Sequence, residues 1–144
     1  MTERREIQYS LSDIDLVVRE LQGLMARCAI FTFTGQLGAG KSTVIRALLR
    51  SCGVQGVIAS PTFTIMNVHE NNRGERFYHF DLYRISSLDE FIQAGFNEYL
   101  YQPNSWSFIE WPESIEPLLT HGVCHVQMEY VDPTTRKITL NLKI

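Results

Sequence analysis

The sequence has no long apolar run and few cysteines. No stretch of its 144 residues approaches the roughly 20 apolar residues that a helix needs to cross a bilayer, so no membrane association is predicted. Residues 1–6 lead into no apolar segment with a small-residue cleavage site, so secretion is not predicted. The cysteines are odd in number and lack metal-site spacing (Cys28, Cys52 and Cys124). We interpret them as free thiols in a reducing compartment and expect a cytoplasmic location.

The chain also lacks a concentrated basic surface. Its net charge is −3 and its isoelectric point is about 5.8. Arg73, Arg76 and Arg84 form the densest basic group, and acidic residues are interleaved with them. A protein that binds nucleic acid on its own usually displaces counterions with clustered cations. The charge therefore argues against stand-alone nucleic-acid binding, and any RNA partner would be held mainly by another protein.

What remains is the composition of an ordinary globular protein, with 44% hydrophobic and 20% charged residues. Repeats, linkers and low-complexity segments are absent from the sequence, so residues 1–144 are predicted to form a single domain.

Apolar periodicity predicts helices at 13–25, 42–52, 87–94 and 112–119, with Ser12 as the N-cap of the first. It predicts strands at 6–9, 29–34, 65–70, 76–83, 106–110, 123–130 and 137–144.

This element order predicts an α/β fold. Strands separated by helices favour a mainly parallel sheet flanked by helices, of the type found in P-loop NTPases. The polar turns at 71–74 and 132–135 indicate antiparallel hairpins, which make the sheet mixed.

The strongest motif is a glycine-rich loop between a predicted strand and a predicted helix. Residues 35–42 read Gly-Gln-Leu-Gly-Ala-Gly-Lys-Ser and match the phosphate-loop pattern G-x-x-x-x-G-K-S/T. Glycines allow successive backbone N–H groups to converge on a phosphate, and the helix dipole adds positive potential. The sequence therefore predicts that Gly38, Ala39, Gly40, Lys41, Ser42 and Thr43 bind a nucleoside triphosphate. Lys41 would bridge the β- and γ-phosphates, Ser42 would ligate Mg²⁺, and Thr43 would meet the α-phosphate.

Phosphate-loop enzymes usually take a further carboxylate from the end of a neighbouring buried strand. Glu110 ends the apolar run 107–110 and is a candidate Mg²⁺ ligand; its alternative role is to cap the helix that begins at Pro112. Asp81 ends the strand after His79 and lies on the same face of it. Asp81 is either a second functional carboxylate or an ordinary acid at a strand end. We interpret His79 as a hydrogen-bonded histidine of the sheet.

A third segment, Ser60-Pro61-Thr62, follows the first crossover. The proline excludes helix at the residue before it, so the segment is a loop. Thr62 either completes the metal shell, as switch threonines do, or belongs to a simple turn.

Four motifs in this order resemble the TsaE family of bacterial ATPases, also called YjeE. They are the loop at 35–43, Ser-Pro-Thr-Phe-Thr at 60–64, His-Phe-Asp-Leu-Tyr-Arg at 79–84 and Ile-Glu-Trp-Pro-Glu at 109–113. With the helix at 89–95 and Arg136 in the final hairpin, the resemblance covers about residues 29–140. The family usually has two threonines after the lysine, where this chain has Ser42 and Thr43, and either hydroxyl can ligate Mg²⁺.

The resemblance implies an activity and partners. Members bind and hydrolyse ATP with Mg²⁺ and support TsaB and TsaD, which form N6-threonylcarbamoyladenosine at position 37 of tRNA. By resemblance, Lys41, Asp81, Glu110 and Thr62 would be catalytic, Ser42 and Glu110 would bind Mg²⁺, and Trp111 would lie near the nucleotide. The preference for ATP over GTP also rests on the resemblance, and contact with tRNA would be indirect.

Two other functions share a phosphate loop. A small-molecule or nucleotide kinase is the main alternative, but this chain is short for one and lacks an inserted helical lid between its predicted strands. The other alternative is a binding module that uses ATP as a structural clamp without appreciable hydrolysis.

Overall fold

The computed structural model describes residues 2–36, 38–61 and 64–144. Its strands are β1 (Thr2–Ser10), β2 (Ile30–Gly35), β3 (Met66–Glu70), β4 (Arg76–Asp81), β5 (Ser105–Glu110), β6 (Val123–Asp132) and β7 (Thr135–Lys143). The α-helices are α1 (Ile14–Leu24), α2 (Lys41–Ser51) and α3 (Leu88–Gln93). Short 3₁₀ turns span Leu11–Asp13, Phe96–Tyr99 and Pro112–Leu118.

Within the described residues, seven strands form one sheet in the order β1-β7-β6-β2-β5-β4-β3. The central pairings, β6 with β2, β2 with β5 and β5 with β4, are parallel. The outer pairings, β3 with β4, β6 with β7 and β1 with β7, are antiparallel. The predicted mixed α/β sheet with flanking helices and antiparallel hairpins is confirmed, and its parallel part forms the centre. The carboxyl ends of β2, β4 and β5 therefore meet at one edge of the sheet.

Apolar side chains cover both faces of this sheet. On one face, α1 and α2 pack their buried stripes against alternate residues of the central strands, including Phe31, Phe33 and Phe108. On the other face, α3 and the 3₁₀ turns Phe96–Tyr99 and Pro112–Leu118 cover Ile30, Ile109 and neighbouring residues. The period of two in each strand thus sends Phe108 and Glu110 to the face that carries α2. This alternation brings polar strand-end residues beneath the start of α2.

The beginning of the chain differs from its prediction. Strand β1 runs over Thr2–Ser10 rather than only 6–9, because it pairs along its length with β7. The predicted N-cap at Ser12 is wrong, since Ser12 lies in the turn Leu11–Asp13, and Asp13 precedes α1 without a side-chain capping bond. Leu11 donates its backbone N–H to Thr134 in the distant β6–β7 turn. Local capping rules do not predict such a contact with a turn far away in the sequence.

The cysteines and the remaining boundaries follow the predictions more closely. All three cysteines are free and buried, and burial raises the pKa of the Cys124 thiol to about 12. Helix α2 ends as predicted before Gly53, which has a φ of 92°. The helix predicted from Pro112 is a 3₁₀ turn. In the described part of the chain, every helix is too short or too polar to cross a bilayer.

Candidate functional site

The predicted phosphate loop lies between the end of β2 and the start of α2. Gly38 and Gly40 have φ values of 83° and 99°, a region that favours glycine, and Gly40 occupies the N-cap position of α2. The first N–H groups of a helix have no partner inside it, and the helix dipole makes this end positive. The first turn of α2 carries no acidic side chain. The start of α2 therefore suits the binding of an anion.

Gly35 is needed for a close approach between two strands. It pairs with Met128 of β6 and has a φ of 145°. A Cβ atom added at Gly35 would lie 2.4 Å from the backbone oxygen of Met128, which cannot move without shifting β6. Only glycine fits this position without displacing the strand that leads into the loop.

Gly35→Ala is therefore expected to destabilise the protein by about 2–4 kcal/mol, because it combines a strained backbone conformation with a backbone clash. The measurement is the free energy of unfolding in urea. Gly23→Ala is the matched control, since an added Cβ there meets nothing within 4 Å and lies inside α1. That change should be neutral or stabilising by up to about 1 kcal/mol. Equal stability of the two variants would contradict the steric argument.

Lys41 lies over the loop in a defined position. It is the first residue of α2 and only 6% exposed. Its Nζ donates a hydrogen bond of 2.8 Å to the backbone oxygen of Gly35 and lies 4.2 Å from the centre of the Trp111 ring. The ammonium group is thus held at the mouth of the loop by a carbonyl and an aromatic face.

Glu110 approaches this loop from the neighbouring strand. It ends β5, and both of its carboxylate oxygens lie 3.3 Å from the Ser42 hydroxyl, which donates to them. Its Oε2 is also 2.7 Å from Nε2 of His79 on β4. The 3₁₀ turn after Glu110 has no side-chain capping bond. The carboxylate is therefore directed at the start of α2, and the alternative role as a helix cap is not seen.

The donor set suits a hard divalent cation. A hydroxyl from Ser42 and a carboxylate from Glu110 are oxygen ligands, which Mg²⁺ prefers, and Mg²⁺ usually completes its shell with water and substrate phosphates. Among the residues described, no group of three or more His, Cys, Asp and Glu side chains could hold a metal unaided. The two ligands present fit a cation that also depends on a bound phosphate.

Asp81 lies at the same sheet edge as Glu110, with which it pairs in the register of β4 and β5. Its carboxylate accepts the backbone N–H of Tyr83 at 3.1 Å. Next to it, Trp111 has a φ of 57° and packs edge-on against Tyr83, with ring centres 5.1 Å apart. The two strand ends therefore place the Asp81 carboxylate at the same sheet edge as Glu110. They also form an aromatic pair, of which Trp111 contacts Lys41.

The structure brings together most of the residues predicted for the site. Lys41, Ser42, Glu110 and Trp111 are connected by the contacts above, while Thr43 is exposed in the first turn of α2 and Ala39 is buried. The predicted Thr62 lies outside the described residues, so its placement stays untested. The same holds for Leu37 within the loop.

The prediction that His79 is a hydrogen-bonded histidine of the sheet is confirmed, but its partner, Glu110, was not predicted from the sequence. The two side chains are only 3% and 6% exposed. The available signal was alternation, which places His79 on the same face of its strand as Asp81. A second histidine, His69 on β3, has a lowered pKa. The main cause is burial of its side chain, and the charge of His79 contributes less. His69 is therefore neutral at neutral pH.

A solved structure shares this fold. The crystal structure of Bacillus subtilis YdiB superposes on the chain with a TM-score of 0.74, covering 100% of this chain and 88% of YdiB at 23% identity.

Sequence comparisons give closer relatives. TsaE of Haemophilus influenzae is 38% identical over 98 residues, which cover 68% of this chain and 61% of that protein. TsaE of Rickettsia prowazekii is 34% identical over 78% of this chain and 76% of its own length. TsaE of Treponema pallidum is 30% identical over 81% and 84%. All three are described as tRNA threonylcarbamoyladenosine biosynthesis proteins. The chain thus spans about three fifths of the Haemophilus relative and more of the others.

The sequence profile for the family described as "Threonylcarbamoyl adenosine biosynthesis protein TsaE" matches residues 9–138, from near the end of β1 to the middle of β7. The matched span contains the loop, both carboxylates, His79 and Trp111. The chain therefore belongs to the TsaE family.

Proposed function

We propose that this chain binds ATP with Mg²⁺ and hydrolyses it in support of tRNA threonylcarbamoyladenosine biosynthesis. The observation that carries the proposal is the meeting of Ser42 and Glu110, with the Ser42 hydroxyl 3.3 Å from both carboxylate oxygens at the start of α2. A phosphate loop next to a strand-end carboxylate is the arrangement that phosphoryl-transfer enzymes use. Residues 1–144 would act as a single ATPase domain.

The loop would hold the triphosphate mainly through its backbone. The N–H groups from Gly38 to Thr43 would donate to phosphate oxygens, aided by the dipole of α2. On binding, Lys41 would exchange its contact with the Gly35 oxygen for the β- and γ-phosphates. Trp111, 4.2 Å from Lys41, would border the nucleotide and exclude water from this cation.

Ser42 and Glu110 would hold Mg²⁺, and the metal when bound would neutralise charge that develops on the phosphates. Glu110 is buried with a side-chain exposure of 6%, so its charge acts in a region of low dielectric constant. Asp81 lies one strand away at the same edge and would orient the attacking water or support the metal shell. Thr62 would complete the shell as a switch-like threonine.

The proposed partners are TsaB and TsaD, and the proposed location is the cytoplasm. Support comes from membership of the TsaE family and from the resemblance of the four motifs to its ATPases. A net charge of −3 suits indirect contact with tRNA through such partners rather than direct binding. Dependence on partners also predicts slow hydrolysis by the isolated chain.

Calorimetry and a hydrolysis assay test the nucleotide part of the proposal. We expect ATP and ADP to bind with Mg²⁺, GTP to bind more weakly, and phosphate to be released faster when TsaB and TsaD are added. Phosphate transfer to a small metabolite would favour a kinase instead. Binding without hydrolysis in the presence of both partners would indicate a structural clamp, and absence of nucleotide binding would overturn the proposal.

A further inference from the structure

We infer that His79 is a positioning residue that fixes the orientation of the Glu110 carboxylate for Mg²⁺. This inference rests on the proposed function and deepens it, because it assigns a role to a residue outside the loop and outside the metal ligands. The geometry that carries it is a buried contact between two strands, directed at the start of α2.

The contact is short and well enclosed. Nε2 of His79 lies 2.7 Å from Oε2 of Glu110, while the Ser42 hydroxyl is 3.3 Å from both oxygens of that carboxylate. The His79 and Glu110 side chains are 3% and 6% exposed, so water competes little for their hydrogen-bonding groups. A carboxylate buried to this degree is stable only when protein groups replace its hydration.

The contact is also asymmetric between the two oxygens. Oε2 has contacts with both His79 and Ser42, whereas the described contact of Oε1 is with Ser42 alone. His79 therefore prevents rotation of the carboxylate about its last torsion and leaves Oε1 with spare acceptor capacity next to the Ser42 hydroxyl. Oε1 is the oxygen with room for a cation that Ser42 also ligates.

The sheet does not depend on this contact for its pairing. Strands β4 and β5 are joined by a continuous parallel backbone register from Arg76 and Ser105 to Asp81 and Glu110. His79 is opposite Phe108 in this register, two residues before Glu110, so its side chain reaches along the strand toward the site. Groups that orient a metal ligand from behind typically change metal affinity 10- to 100-fold when they are removed.

The test compares binding of a non-hydrolysable ATP analogue in EDTA with its binding during Mg²⁺ titration, by calorimetry. We expect His79→Phe to keep the metal-free affinity within about twofold of wild type and to raise the half-saturating Mg²⁺ concentration about tenfold or more. His79→Gln keeps a donor and should recover most of the Mg²⁺ response. Urea unfolding establishes that each variant folds. If His79→Phe does not fold, His79→Asn replaces it, because the asparagine side chain is too short to hold Glu110.

His125→Phe is the matched control. His125 makes an equally short contact, with Nδ1 2.7 Å from the buried Thr32 hydroxyl, on the sheet face opposite α2. It should lower stability without changing the Mg²⁺ requirement. An unchanged Mg²⁺ requirement in His79→Phe, or an equal rise in His125→Phe, would overturn the inference while leaving the proposed function intact. A wild-type protein that binds no nucleotide would overturn both.

Discussion

Replacing Lys41 with alanine is expected to lower ATP turnover about 100-fold or more. Lys41 is 6% exposed, and its ammonium group is held 2.8 Å from the Gly35 oxygen at the mouth of the loop. A cation about 4 Å from a phosphate charge is worth about 4 kcal/mol at an effective dielectric constant of about 20. Removing part of this stabilisation from the transition state accounts for the expected loss. Steady-state phosphate release is the measurement.

Lys137→Ala is the control for this prediction. Lys137 lies on β7, 3.8 Å from Glu6 on the neighbouring strand, at the side of the sheet away from β5. Such a partly exposed pair contributes about 0–1 kcal/mol to stability and should leave turnover unchanged. If the Lys41 variant folds and hydrolyses ATP at the wild-type rate, Lys41 does not bind the triphosphate.

Replacing Glu110 with glutamine is expected to give a comparable loss of turnover with little loss of folding. Glutamine has nearly the same shape and keeps an oxygen that can accept from His79, but it removes the negative charge beside Ser42. The Mg²⁺ response should weaken, since the ligand becomes neutral. A loss of about 3 kcal/mol of transition-state stabilisation corresponds to a fall of about 100-fold in rate.

Metal-free nucleotide binding separates this effect from a general loss of the site. In EDTA, the glutamine variant should bind ATP as tightly as wild type or more tightly, because a carboxylate no longer repels the phosphates. Glu116→Gln, an exposed change in the turn Pro112–Leu118, should behave as wild type throughout. A glutamine variant that retains the full Mg²⁺ response would contradict the assignment of Glu110 as a ligand.

The sequence predicted the parts of the fold that local pattern controls. Glycines at 38 and 40 and the apolar stripes on each side placed the loop between β2 and α2, because a left-handed backbone and helical periodicity both depend on residues close in sequence. The alternation in β4 similarly indicated that His79 and Asp81 share a face of that strand. These features can be predicted without knowing which distant strands pair with one another.

Other features depend on contacts between distant elements. The pairing of His79 with Glu110 requires the register of β4 and β5, and the length of β1 requires its partner β7. Trp111 has a φ of 57° without being glycine, and no local rule predicts this. It follows from the need to turn the chain sharply after β5 while the indole covers Lys41. The role of Thr62 stays a prediction from sequence and resemblance.

Repeated tRNA modification by a reconstituted system tests the central claim most directly. Wild-type protein is mixed with TsaB, TsaD, threonylcarbamoyl-adenylate as the donor, tRNA in excess, and ATP with Mg²⁺, and modified tRNA is counted per TsaD molecule. We predict many rounds with the wild type and about one round with Lys41→Ala, Glu110→Gln or EDTA. Wild-type levels of repeated modification with both variants would contradict the proposal that this site hydrolyses ATP for the pathway.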